Sequence, residues 1–122
     1  MKVTILGTGA YGLALSSILV ENNNEVVLWT SFEEEKSELI NTKTSSKLKG
    51  FKLNKNINVT TNLEEAINLS TLIVLAIPTA FITDVCKRLK KYIKPNQHIC
   101  IASKGIEQGT CLFIHDMVKK QI

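Results

Sequence analysis

A chain of 122 residues with 44% apolar and 21% charged positions has room for one packed core and does not have the composition of a disordered segment. Its formal net charge of +4 is spread along the chain, apart from Lys87-Arg88 and Lys90-Lys91. That balance favours anionic ligands such as phosphates, while two tyrosines and no aromatic–basic array argue against nucleic acid.

Val3 to Leu6 is a short β-rich apolar run ending in glycines, and reads as a buried strand. Ala10 to Glu21 carries Leu13, Leu15, Ile18 and Leu19 at helical spacing, and Glu25 to Trp29 (EVVLW) is a second strand. A helix is expected from Glu33 to about Asn41, opened by the capping-box pattern Ser31-Phe32-Glu33-Glu34 with Ser31 as N-cap. The polar stretch Thr42 to Asn56 reads as a loop, Ile57 to Thr60 as a brief strand and Leu63 to Leu69 as a short helix. Leu72 to Ile77 is an unbroken apolar run, as expected of a strand covered on both faces. Thr79, placed after Pro78, reads as the N-cap of a helix running to Tyr92. His98 to Ala102 is a further buried strand, and a last helix is expected from about Thr110. Strand and helix alternate throughout, which predicts an α/β fold with a doubly wound, mainly parallel sheet.

The chemistry is written at the first strand–helix turn. Gly7-Thr8-Gly9-Ala10-Tyr11-Gly12 is G-x-G-x-x-G, placed directly after a strand and opening a helix. In that context the first glycine permits the tight turn, the second lets backbone approach a pyrophosphate, and the third lets helix and strand pack closely. The free N–H groups of the helix start then face the phosphates. Together these features read as a Rossmann-type dinucleotide site. Asp or Glu at the end of the second strand commonly selects NAD, and a nearby Arg NADP. Here the strand ends Leu28-Trp29-Thr30-Ser31-Phe32 with neither. Ser31 suits a ribose hydroxyl, a 2′-phosphate or the helix cap, and Glu33, Glu34 and Glu35 would repel an extra phosphate. NAD or NADP is therefore the expected cofactor, with a tilt to NAD.

Cys86, Cys100 and Cys111 are odd in number and lack C-x-x-C spacing, so reduced thiols are expected and no metal site. His98, His115, Asp84 and Asp116 have no partners at catalytic spacing and read as structural or surface residues. The longest apolar stretch, Leu72 to Phe81, is broken by Pro78 and too short to span a bilayer. With no signal-peptide pattern after Lys2, a soluble cytoplasmic protein without membrane partners is expected.

GTGAYGLAL, the second strand ending in Leu-Trp, LIVLAIP followed by Thr79-Ala80-Phe81, and Ala102-Ser103-Lys104-Gly105-Ile106-Glu107 together resemble NAD(P)-dependent glycerol-3-phosphate dehydrogenase over essentially the whole chain. The resemblance implies that residues 1–122 are its NAD(P)-binding Rossmann domain, truncated before a C-terminal helical domain. It also implies hydride transfer between NAD(P)H and dihydroxyacetone phosphate, giving sn-glycerol 3-phosphate for glycerophospholipid synthesis. Gly7, Gly9, Ala10, Tyr11 and Gly12 would bind cofactor phosphates and Ser31 would lie near the adenosine ribose. Phe81 would line the cleft, although a plain core role suits it almost as well. Lys104 would touch both cofactor and substrate. No catalytic residue is assigned within 1–122, because the resemblance puts the general acid–base lysine beyond residue 122. The isolated chain is accordingly expected to bind cofactor with little turnover. Where the family shows Leu-Pro-Gly, this chain has Leu48-Lys49-Gly50. If a strand beyond residue 122 normally covers His98–Ala102, its loss exposes a ladder edge and favours a homodimer. The alternative reading is a stand-alone nucleotide-sensing regulatory module, against which Lys104-Gly105-Ile106-Glu107 and the missing acid after the second strand both count.

Overall fold

The computed structural model describes residues 1–101. Five strands, β1 (Lys2–Leu6), β2 (Glu25–Trp29), β3 (Ile57–Thr60), β4 (Leu72–Leu75) and β5 (His98–Ile101), alternate with four helices, α1 (Ala10–Glu21), α2 (Glu33–Thr42), α3 (Leu63–Ile67) and α4 (Thr79–Leu89). All the strand pairs are parallel and the order is β3-β2-β1-β4-β5. This is the doubly wound architecture expected from the alternation. The order reverses between β1 and β4, and open α/β sheets bind ligands outside the carboxyl ends of their strands at that switch.

Period-two alternation sends neighbouring side chains into separate cores. Val3 and Ile5 of β1, Val26 and Leu28 of β2, and Val74 of β4 pack with Leu13 of α1 and Leu39 of α2. Leu6, Val27, Trp29, Ile73 and Leu75 pack on the opposite face with Ala66 and Ile67 of α3 and Ile82, Val85, Cys86 and Leu89 of α4. Thr4 is the polar exception. Its buried hydroxyl donates to the Ala66 carbonyl and shares a hydrogen bond with Ser70 Oγ, and no buried polar side-chain atom among the described residues lacks a partner.

Several boundaries differ from the sequence expectation, each for a local reason. The capping box does not form. The N-cap of α2 is Phe32, with no side-chain cap, and Thr30 Oγ1 accepts from the Phe32 amide at 3.1 Å in a short hydroxyl turn. Helix α3 stops at Ile67 instead of Leu69, because Leu69 takes a left-handed backbone (φ 63°). Thr79 is the first residue of α4, with Pro78 at the cap position, and the helix ends at Leu89 rather than Tyr92. β4 closes at Leu75, two residues before the apolar run does. β5 is not a fully buried strand: its His98 and Cys100 are exposed. The segment between α2 and β3 is a loop, but Phe51 is buried in the α1–α2 core with Leu48 and Leu53 packed against it. Free Cys86 sits in the other core, where burial pushes its thiol pKa up, and Cys100 is also free. Ala102, Cys111, His115, Asp116 and the last expected helix lie outside the described residues.

Candidate functional site

β1 delivers the chain into the switch point, and the glycines shape the turn there. Gly7 has φ 134°, and a Cβ there would stand 2.2 Å from the Ala76 carbonyl oxygen, so no side chain fits between the ends of β1 and β4. A Cβ on Gly12 would stand 2.6 Å from the Gly7 oxygen and 3.4 Å from Ile5 Cγ2. The third glycine thus protects the turn itself as much as the helix–strand contact. Gly9 is different. It is the N-cap of α1 in extended backbone, and a Cβ would meet nothing within 4 Å. Its missing side chain leaves open space rather than relieving a contact inside the fold.

Beyond Gly9 the first helical bond runs from the Leu13 amide to the Gly9 carbonyl at 3.0 Å. The amides of Ala10, Tyr11 and Gly12 therefore open the helix without an acceptor among the described residues, and no described side chain caps them or brings an acid into the first turn. A helix start with three free donors and the positive end of its dipole suits a phosphate.

A cavity of about 340 Å³ opens beside this turn. Gly7, Thr8 and Gly9 form one wall, Trp29 to Phe32 with Glu35 a second, and Ala76, Ile77, Pro78, Phe81 and Val85 a third, with Lys47 reaching in from the α2–β3 loop. Trp29, only 1% exposed, is fixed by donation from its Nε1 to the Thr61 carbonyl at 3.1 Å and by the Arg88 guanidinium 5.2 Å from its ring centroid. Phe81 is 49% exposed, so it stands at the mouth of the cleft and not in the core. Ser31 lines the cavity and is exposed, free of the capping role. Tyr11 is 46% exposed outside the cavity lining. Lys104 lies outside the described residues.

The sequence did not single out Thr8, Thr30 or Lys47, and it treated Glu35 only as one of three helix-start acids. Here Glu35 accepts from Thr8 Oγ1 at 3.1 Å and from Thr30 Oγ1 at 3.3 Å. Thr8 is an unspecified position within G-x-G-x-x-G, and Lys47 is placed by the fold of an irregular loop, so neither carried a periodic signal. No group of three or more metal-ligating side chains occurs among the described residues. Nor is any described helix long and apolar enough to cross a membrane.

A glycine turn at the switch point, free amides at a helix start and an adjoining, largely apolar cavity define a dinucleotide-binding Rossmann-type domain. Residues 2–122 match the family model described as the N-terminus of NAD-dependent glycerol-3-phosphate dehydrogenase, and the chain belongs to that family. Among curated relatives, the glycerol-3-phosphate dehydrogenase (NAD(P)+) of Fusobacterium nucleatum is 35% identical over 123 residues, covering 100% of this chain and 37% of that protein. The chain thus spans little more than a third of the length of that relative. Glycerol-3-phosphate dehydrogenase from Coxiella burnetii shares the fold at TM-score 0.87 and 22% identity, covering 98% of this chain and 37% of that one. The Saccharomyces cerevisiae enzyme gives TM-score 0.78 at 25% identity, covering 96% and 39% respectively.

Proposed function

We propose that this chain is the cofactor-holding part of an enzyme that moves a hydride between NAD(P)H and dihydroxyacetone phosphate, yielding sn-glycerol 3-phosphate for glycerophospholipid synthesis. The observation that carries the reading is the pairing of three amides at Ala10, Tyr11 and Gly12, unpartnered among the described residues, with the open space at Gly9. Charge-assisted hydrogen bonds of this kind contribute roughly 1.5–3 kcal/mol each, so a few supply most of the grip on a pyrophosphate. The nicotinamide, when bound, supplies or accepts the hydride. The chain's own residues hold and orient it: Gly7, Gly9 and Gly12 by leaving room, Ala10 and Tyr11 by their amides, Ser31 and Phe81 along the cleft. Lys104, in the segment after β5, is assigned to both cofactor and substrate phosphate. An ammonium brought to that phosphate would attract it or polarise the carbonyl.

The domain assignment 1–122 and the absence of a general acid–base group within it belong to the same proposal. Proton transfer requires a group within hydrogen-bond reach of the reacting carbonyl, and the family resemblance puts that lysine outside this chain. Cofactor binding without turnover is the expected behaviour. Trp29 lines the cleft, so its fluorescence should respond to NADH. A steady-state assay with dihydroxyacetone phosphate and NADH should show negligible oxidation. An unchanged Trp29 signal, with no heat of binding at millimolar nucleotide, would refute the cofactor site. Robust turnover would refute the division of labour.

A further inference from the structure

The strand that ends at Trp29 carries no acid at the place where such domains commonly read the ribose, yet the cavity does contain a carboxylate. We infer that Glu35, in the first turn of α2, does that reading and makes the site discriminate against a 2′-phosphate. The inference rests on the cofactor reading above and assigns it a specificity-determining residue.

Two buried hydroxyls fix the carboxylate. Thr8, 4% exposed, donates to Oε1 at 3.1 Å, and Thr30, 3% exposed, donates to Oε2 at 3.3 Å. Thr30 Oγ1 also accepts from the Phe32 amide at 3.1 Å, so this hydroxyl bridges the backbone before α2 and the carboxylate. The carboxylate is therefore tied to the glycine turn on one side and to the end of β2 on the other, and both threonines line the same cavity as Glu35. A carboxylate accepts about four hydrogen bonds and donates none. With two taken, the remaining lone pairs suit the hydroxyl donors of a ribose diol. A 2′-phosphate in that position offers no donor and brings like charge into a part-buried site, where repulsion is weakly screened.

Lys47 is the competing charge, since it lines the same cavity. It is an exposed side chain on the loop and forms no ion pair with Glu35 among the described residues. A strongly hydrated ammonium on a flexible stem is a weaker determinant than a carboxylate clamped by two buried donors. Ser31 is neutral and serves either ligand. The clamped acid dominates.

The test is paired titration of NADH and NADPH into the 122-residue chain, by calorimetry and Trp29 fluorescence, for the wild type and Glu35→Gln. Glutamine preserves the shape while removing the charge. The wild type is expected to bind NADH at least about tenfold more tightly than NADPH. Glu35→Gln should bring the two within about threefold, chiefly by tightening NADPH. Thermal melting of the variant within a few degrees of wild type shows that the fold is kept. Thr30→Val, which removes one clamp and leaves the charge, should narrow the preference partway. Equal or stronger NADPH binding by the wild type overturns the inference, and so does a Glu35→Gln variant that weakens both nucleotides equally or leaves their ratio unchanged. Binding of neither nucleotide overturns the cofactor reading and this inference with it.

Discussion

Single residues in the glycine turn divide into those the fold needs and one the ligand needs. Gly12→Ala would place a methyl 2.6 Å from the Gly7 carbonyl oxygen, an overpacking that costs about 1–3 kcal/mol. Both stability and NADH affinity should fall. Gly9→Ala meets nothing inside the chain and sits in a backbone conformation open to any residue, so its cost should be confined to the poorer N-cap that alanine makes, about 0.5–1 kcal/mol. Its NADH affinity should nevertheless drop at least about tenfold, because the methyl occupies the approach to the free amides. Urea denaturation and calorimetry on the two variants separate these effects. A Gly9→Ala protein that binds NADH normally would show that the diphosphate lies elsewhere. The glycine spacing was legible because backbone constraints are local. The Thr8–Glu35–Thr30 clamp was not, since it joins residues 27 and 5 positions apart by a contact that only the sheet register creates.

At the scale of elements, the strands were readable because each is an apolar run between turn residues, and their parallel pairing follows from the intervening helices. Helix ends were less so. Ser31 and Glu34 satisfied a capping pattern, but the hydroxyl of Thr30 claimed the Phe32 amide and Phe32 took the cap position instead of Ser31, while the helix still starts at Glu33 as expected. The end of α3 depends on a distant side chain. Gln97 Nε2 donates to the Ile67 carbonyl at 2.7 Å and the Ser70 carbonyl at 3.0 Å, while its Oε1 accepts from the Lys94 amide at 2.9 Å. One amide therefore ties the end of α3 to the turn that leads into β5. Gln97→Ala should destabilise the chain by about 1–3 kcal/mol, because the part-buried Ser70 carbonyl loses its side-chain donor and the Ile67 carbonyl keeps only the Ser70 amide. Gln97→Glu, which keeps the size and removes the donors, should be no better. Equilibrium unfolding in urea checks both, and wild-type stability in either variant would reduce Gln97 to a bystander.

For the whole molecule, the alternation of strand and helix was enough to anticipate a doubly wound sheet, and the glycine motif placed the binding site on it. What the sequence left open was which loops close over the cleft, because an irregular segment such as 43–56 has no periodicity to read. Its path is set by Phe51 dropping into the α1–α2 core, and Lys47 comes to the cavity as a result of that anchoring. Parallel strands carry a further implication. Since every described strand points the same way, the sheet has two unlike poles, and the proposed nucleotide site lies at the carboxyl one. The Asn22-Asn23-Asn24 turn stands at the other pole, a 12-residue helix or about 18 Å from Gly9. A biotin-acceptor peptide spliced between Asn23 and Asn24 should leave NADH affinity within about twofold, as insertions at exposed turns generally do. Surface-immobilised protein then serves to check it. That turn is the natural handle by which to hold the protein while its opposite end stays free to bind.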